Sequence, residues 1–269
     1  MIYSTMMVFL EIDDEPMDLM RYSWDLADRF EADLIAFAAV EPRLFGIDGS
    51  ILSPDVMSRQ VEEIEIRLKV FEEAFHTMTR DSNRASWRGL LGNPTSFLAL
   101  HSRAADLVIV GGAGNGRKSR QLIDVGSLVL TCGRPVLLTS CKTDPIKVDH
   151  ILVAWKDVRE ARRAVEDAMP FLTQARDVLV ATIAPDDRIA ARESAADVVK
   201  FLMKHGVKAR PRVEETGSDG EALAALARAI DADLIVSGGY GHSRLREQIF
   251  GGATRSLLNA NTFNRLLSN

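Results

Sequence analysis

Two copies of one pattern decide the fold: Ala105-Asp106-Leu107-Val108-Ile109-Val110-Gly111-Gly112-Ala113-Gly114 and Ala232-Asp233-Leu234-Ile235-Val236-Ser237-Gly238-Gly239-Tyr240-Gly241. In each copy a short apolar run indicates a buried strand, and the glycines after it are typical of a strand-to-helix turn. Self-similarity of this kind predicts two structural repeats within one chain.

The flanking sequence of each copy repeats as well. Short apolar segments that alternate with amphipathic helical patterns predict a parallel sheet covered by helices on both faces. The predicted strands are residues 6–12, 33–40, 85–91 and 135–140 in the first half, with 150–155, 177–184, 207–213 and 263–268 in the second. The predicted fold class is therefore α/β, with two Rossmann-like domains that each contain a five-stranded, largely parallel sheet. We place the domains at residues 1–143 and 148–269, with a polar linker between them.

One feature is present in the first half alone. Residues 56–78 form a long charged segment in which Val61, Ile64, Leu68, Phe71 and Phe75 share one helical face. We interpret it as a crossover helix with a solvated outer face, in preference to a partner-binding helix.

Composition excludes several function classes. The net charge of −5 and a pI near 5.6 give no overall attraction to nucleic acid or to an anionic membrane. No apolar run approaches the ~20 residues of a membrane span, and residues 1–10 are interpreted as a first strand, not a signal peptide. Cys132 and Cys141 have no metal-ligand spacing and are expected to be reduced thiols. We expect a cytoplasmic protein.

The most specific motif is Gly238-Gly239-Tyr240-Gly241, followed after nine residues by Gly251-Gly252-Ala253-Thr254. Glycines at a strand end allow the backbone to approach a phosphate, and the amides of the next loop and helix point toward the anion. In this motif the chain resembles the universal stress protein family, whose nucleotide-binding members carry G-x2-G-x9-G-(S/T). Gly238, Gly241 and Gly251 match the three glycines, whereas Gly252 stands where the family has serine or threonine.

The resemblance implies a nucleotide site in the second half, for ATP or AMP, with Mg²⁺ as an optional companion. Phosphates would contact the backbone near Gly241, Gly251, Gly252 and Ala253 and the hydroxyl of Thr254, and the base would lie between Ala154 and Ile183. His242 is either a phosphate contact or an ordinary loop residue. The aspartate that the family places after the first strand is Lys156 here, and Asp157 is a candidate substitute. Trp155 and Tyr240 either stack on a base or pack the top of the sheet.

The first half retains the acidic residue, as Asp13 and Asp14, but not the glycine spacing. Counted from Gly114, eleven residues precede Gly126 instead of nine. We therefore predict a degenerate site here, with Gly126-Ser127 as a simple turn.

The resemblance implies a stress-responsive protein that binds adenine nucleotides and acts by signalling, with at most slow hydrolysis. The alternative is a scaffold that binds no nucleotide and offers a surface to unidentified protein partners. An enzyme is a weaker third possibility, because no nucleophile elbow, Walker A motif or metal-spaced histidine set is present. As in the family, we expect the last strands of the two halves to pair within the chain, and a homodimer remains open.

Overall fold

The computed structural model describes residues 2–12, 17–45, 50–112, 123–140, 147–184, 188–214, 219–239 and 262–269. This part of the chain alternates strands and helices. The strands are β1 (Thr5–Phe9), β2 (Asp33–Val40), β3 (Ala85–Leu91), β4 (Leu107–Val110), β5 (Val136–Leu138), β6 (His150–Ala154), β7 (Asp177–Ile183), β8 (Ala209–Glu214), β9 (Leu234–Gly238) and β10 (Asn264–Ser268). The helices are α1 (Met17–Arg29), α2 (Pro54–Thr79), α3 (Pro94–His101), α4 (Val125–Thr131), α5 (Arg159–Asp167), α6 (Met169–Leu172), α7 (Arg188–Lys204) and α8 (Asp219–Ala229).

All ten strands form one sheet in the order β3-β2-β1-β4-β5-β10-β9-β6-β7-β8. Pairing within each run of five is parallel, which confirms the predicted α/β class with two five-stranded halves. The two halves meet where β5 and β10 pair antiparallel, with Leu266 opposite Leu137. These are the two strands that the sequence analysis places at the junction. Their pairing removes two sheet edges that would otherwise be exposed.

Helices cover both faces of the sheet, as the nearly continuous apolar strands predict. Successive side chains of a strand point to opposite faces, so Met6 and Val8 of β1 join one cluster while Met7 and Phe9 join another. The first face packs against α1, α2, α5, α6 and α7. The second packs against α3, α4 and α8.

One continuous core crosses the junction on the first face. The buried phenol of Tyr3 donates a hydrogen bond to the backbone carbonyl of Asp167 at 2.6 Å, and its ring lies 5.5 Å from that of Phe171. Burial, with the nearby carboxylates as a smaller cause, raises the pKa of Tyr3 well above its ordinary value. The N-terminal strand is therefore held by the C-terminal half as well as by its own.

Most element boundaries agree with the sequence predictions, and the differences have local causes. The predicted strand 6–12 stops at Phe9, and the predicted strand 135–140 contracts to three residues, because parallel pairing to β4 extends no further. The long helix begins two residues early, at Pro54, whose fixed φ suits a first helical position. As predicted, Ile64, Leu68 and Phe75 are buried along its inner face.

Two further expectations can be compared with the described residues. No helix in this part of the chain is long and apolar enough to cross a membrane. Cys132 is a buried free thiol, and burial raises its pKa. Cys141 lies outside the described residues.

Candidate functional site

The candidate site lies where the strand order of the C-terminal half reverses. β6 is at the centre, with β7 on one side and β9 on the other. The chain therefore leaves β6 in one direction and returns to its opposite side. In open α/β sheets, ligands bind in the crevice at the carboxyl ends of strands at such a switch point. Here the switch point lies between β6 and β9.

The structure brings together the residues predicted to contact the base. Ala154 pairs with Ala181 of β7 on one side and with Ser237 of β9 on the other. Ile183 lies two residues beyond Ala181, and both predicted base contacts are half-buried members of one apolar cluster. That cluster lies on the sheet face that α8 covers. An apolar floor at adjacent strand ends is suited to a planar base.

Lys156 and Asp157 follow β6 in a tight turn, in which the Val158 amide donates to the Lys156 carbonyl at 2.7 Å. The Lys156 side chain is exposed. The Asp157 carboxylate accepts from Nε of Arg162 at 3.2 Å and also pairs with Nη2 of the same guanidinium. Both side chains are more than half exposed, so this ion pair is weak and a ligand hydroxyl can compete for the carboxylate.

Trp155 packs instead of standing free at the strand end. Its ring is buried, and the indole N–H donates to the hydroxyl of Ser194 on α7 at 2.9 Å. Of the two interpretations from sequence, this geometry favours packing over stacking on a base.

Gly238 has a role that the motif alone does not show. A Cβ atom here would lie 2.6 Å from the amide nitrogen of Ala161 and 2.7 Å from the carbonyl carbon of Glu160. The first turn of α5 therefore rests directly on the end of β9, and only glycine permits that approach. The adjacent Gly239 donates its amide to the Ser268 carbonyl at 2.7 Å.

One cation at this edge was not singled out from sequence. Arg159 opens α5 and donates from Nη2 to the side-chain oxygen of Asn269 at 3.3 Å, while its Nε lies 3.6 Å from the buried carboxylate of Glu160. The sequence signal that could have identified Arg159 is its position in the first helical turn after β6. Together with Lys156, it supplies positive charge near the strand ends.

The other predicted contacts cannot be compared with the structure. Tyr240 and six site residues lie outside the described residues; the six are Gly241, His242, Gly251, Gly252, Ala253 and Thr254. The described part of the chain contains no group of three or more metal-ligating side chains.

Comparison with known proteins agrees with this geometry. Residues 147–262 match the sequence profile described as the universal stress protein family. This match covers less than half of the chain and lies within its C-terminal half. No curated protein matches the sequence.

Solved structures extend the likeness to the fold of the whole chain. A universal stress protein from Archaeoglobus fulgidus DSM 4304 superposes with a TM-score of 0.76 at 16% identity, covering 98% of this chain and 96% of its own. A functionally unknown protein from Pseudomonas aeruginosa PAO1 gives a TM-score of 0.62 at 14% identity, covering 99% and 92% respectively. At these identities the likeness shows that both halves have the universal stress protein fold.

The corresponding helix start in the N-terminal half already holds an anion. The carboxylate of Asp124 caps α4 by accepting from the Ser127 amide at 3.1 Å and from the Ser127 hydroxyl at 2.6 Å. The hydroxyl bond is the main cause of the lowered pKa of Asp124, and the amides of Ser127 and Gly126 contribute as well. The groups at this helix start are therefore directed at a side chain of the same chain.

This geometry corrects one prediction. Gly126 and Ser127 are not a simple turn, because both belong to the first turn of α4. The sequence interpretation missed Asp124 as a cap, although Asp is one of the residues preferred at a helix N-cap. Asp13, Asp14 and Gly114 lie outside the described residues.

Proposed function

We propose that the C-terminal half binds an adenine nucleotide, ATP or AMP, at the carboxyl ends of β6 and β9, and that the protein acts by binding and signalling in the cytoplasm. The observation that carries the proposal is the convergence of Ala154, Ile183 and Gly238 at the switch point of a universal stress protein domain. The base would rest on the apolar floor. The phosphates would extend toward the glycine-rich segment after β9.

Charge at the strand ends supports the same orientation. Lys156 and Arg159 are exposed cations near the end of β6, where a polyphosphate would reach. Lys156 cannot accept a hydrogen bond from a ribose hydroxyl, so the ribose must rely on Asp157. A ribose hydroxyl can replace Arg162 at the Asp157 carboxylate, because the existing Asp157–Arg162 ion pair is exposed.

A scaffold without nucleotide is the second candidate, and two observations favour it. Gly238 is already required by the approach of α5, and Asp157 already has a cationic partner. Both features can exist in a protein that has no ligand at this edge. The two candidates therefore differ in a measurable property, the affinity for nucleotide.

Calorimetric titration of ATP and AMP, with and without Mg²⁺, tests the proposal. We expect wild type to bind and Gly251→Val to lose binding, because a branched side chain would occupy the place of a phosphate. Lys156→Ala should weaken binding by about 1–3 kcal/mol if the ammonium contacts phosphate, the range for charged hydrogen bonds. Asp13→Ala, in the N-terminal half, is the control and should leave the affinity unchanged.

Lys156→Asp separates the two candidates. It restores the acidic residue that nucleotide-binding members of the family carry after the first strand. Clear binding by this variant together with no heat from wild type would mean that the natural protein has lost the site. The scaffold function would then replace the proposal.

A further inference from the structure

A large cavity lies between α5 and α7 on the outer face of the C-terminal half. Its volume is about 810 Å³, within the range of ~300–1,000 Å³ that is typical of small-molecule pockets. The walls are mainly apolar. They include Trp155, Val165, Met169, Val198 and Phe201. We call this cavity the α5–α7 groove.

The α5–α7 groove meets the proposed nucleotide site at Asp157 and extends away from it. It reaches from Trp155 and Asp157, just after β6, to Met169 and His205. Met169 follows α5, and His205 follows α7, so both lie toward the amino ends of the strands. The proposed nucleotide lies at the carboxyl ends, at the opposite end of the groove, where Asp157 is common to both.

The corresponding space in the N-terminal half is filled. There α1 packs against α2, and the bulky Phe71 and Phe75 of α2 belong to the shared core. In the C-terminal half, the groove between α5 and α7 remains open beside Val198 and Phe201. The ring of Phe201 remains 45% exposed, which is a large apolar surface to leave against water.

The charged rim of the groove is acidic. Three carboxylates and one guanidinium line it, an excess of two negative charges. Asp157 is paired with Arg162, and Asp197 lies 3.3 Å from Nζ of Lys200. Glu166 makes no ion pair with any other residue that the structure describes. Its carboxylate therefore offers an uncompensated negative charge beside an apolar wall.

We propose that the α5–α7 groove binds a small organic cation with an apolar body, for which Glu166 is the counter-ion. The apolar body would lie against Trp155 and Phe201, whose ring faces also attract a cation. The volume of the groove fits a small molecule, and the negative charge of its rim favours a positively charged one.

A matched ligand series tests the proposal. Octylamine, octan-1-ol and octanoate share one alkyl chain and differ in the charge of the head group. Binding is measured by calorimetry and by the fluorescence of Trp155 in a Trp24→Phe/Trp87→Phe background, where it is the sole tryptophan of the chain. We expect affinity to fall in the order amine, alcohol, carboxylate.

Two variant pairs locate the site. Glu166→Gln should weaken octylamine binding roughly two- to fivefold, the effect of a partly exposed charge pair, and leave octan-1-ol binding unchanged. Glu193→Gln, an exposed glutamate of α7 outside the groove lining, is its control. Phe201→Ser should weaken both ligands, whereas Met203→Ser, at an exposed apolar position on the same helix, should weaken neither.

Several results would overturn the proposal. One is octanoate binding as tightly as octylamine, and another is equal loss of octylamine affinity in Glu166→Gln and Glu193→Gln. A third is that octylamine does not bind while light scattering shows self-association that Phe201→Ser abolishes. This result would identify the groove as an interface between copies of the chain. Circular dichroism of each variant excludes loss of fold as the cause.

Discussion

Replacing Gly238 with alanine tests whether this glycine serves packing or a ligand. The added Cβ would lie 2.6 Å from the Ala161 nitrogen and 2.7 Å from the Glu160 carbonyl carbon. Both are backbone atoms of the first turn of α5, so no side-chain rotation can relieve the overlap. α5 must move away from the sheet or β9 must bend.

The expected cost follows from this overlap. Inserting a carbon into a well-packed contact costs about 1–3 kcal/mol, and backbone obstruction places this site toward the upper end. Gly239→Ala is the matched control, since its Cβ would meet Cγ1 of Val129 at 2.9 Å, a side-chain atom that can shift. We expect that variant to lose less than half as much stability.

Urea unfolding without nucleotide, followed by far-ultraviolet circular dichroism, measures both variants against wild type. A large loss for Gly238→Ala under these conditions cannot come from a ligand, because none is present. Equal stability of Gly238→Ala and wild type would refute the packing argument. Equal losses for the two variants would refute the distinction between backbone and side-chain obstruction.

Three further perturbations have expected outcomes. Leu266→Ala at the junction should destabilise the chain by about 2–5 kcal/mol in urea unfolding, because this fully buried side chain belongs to the core shared by both halves. Asp124→Ala should cost about 1 kcal/mol at pH 7 through loss of the cap of α4. Folding lowers the pKa of Asp124 below its ordinary value of 3.8. The carboxylate therefore stabilises the folded state fully above that value, and this stabilisation is lost as pH falls through the folded pKa. The difference in stability between Asp124→Ala and wild type should shrink in strong acid. Trp155→Phe should cost about 1 kcal/mol through the lost bond to Ser194, and Ser194→Ala should add little to it in a double-mutant cycle.

The sheet was predictable because apolar runs and their spacing report burial directly. Strands β2 and β3 have the predicted boundaries: β2 is buried along nearly all of its length, β3 is a partly buried edge strand, and both end at polar or glycine-containing turns. The contact of β5 with β10 was expected from the resemblance, and the structure adds its antiparallel direction. The hydrogen bond from the Tyr3 phenol to the Asp167 carbonyl could not be predicted from sequence. It depends on the relative placement of elements that are far apart in the chain.

The site was predictable only in part. Ala154 and Ile183 lie close together because the strands that carry them, β6 and β7, are neighbours in the sheet. The ion pair of Asp157 with Arg162 was not predictable, since it depends on how the β6–α5 turn directs two exposed side chains. The α5–α7 groove was missed for a related reason. The space that remains between two helices can be recognised only when the positions of both helices are known.

The repeated glycine pairs show why a motif of this kind carries two meanings. Gly112 and Gly239 are the second glycines of the two copies, and both lie against the strand that follows. Gly112 donates its amide to the Thr139 hydroxyl at 3.2 Å, and a Cβ there would come within 2.2 Å of the Thr139 carbonyl oxygen. Gly239 donates its amide to the Ser268 carbonyl, and a Cβ there would lie 2.9 Å from Cγ1 of Val129 on α4. Close packing around the last strand accounts for Gly112, and contact with α4 favours a small residue at Gly239, whether or not either half binds a ligand. The specificity for phosphate must come from the later spacing to Gly251, and Gly251→Val is for this reason a sharper test of function than any change at the pairs themselves.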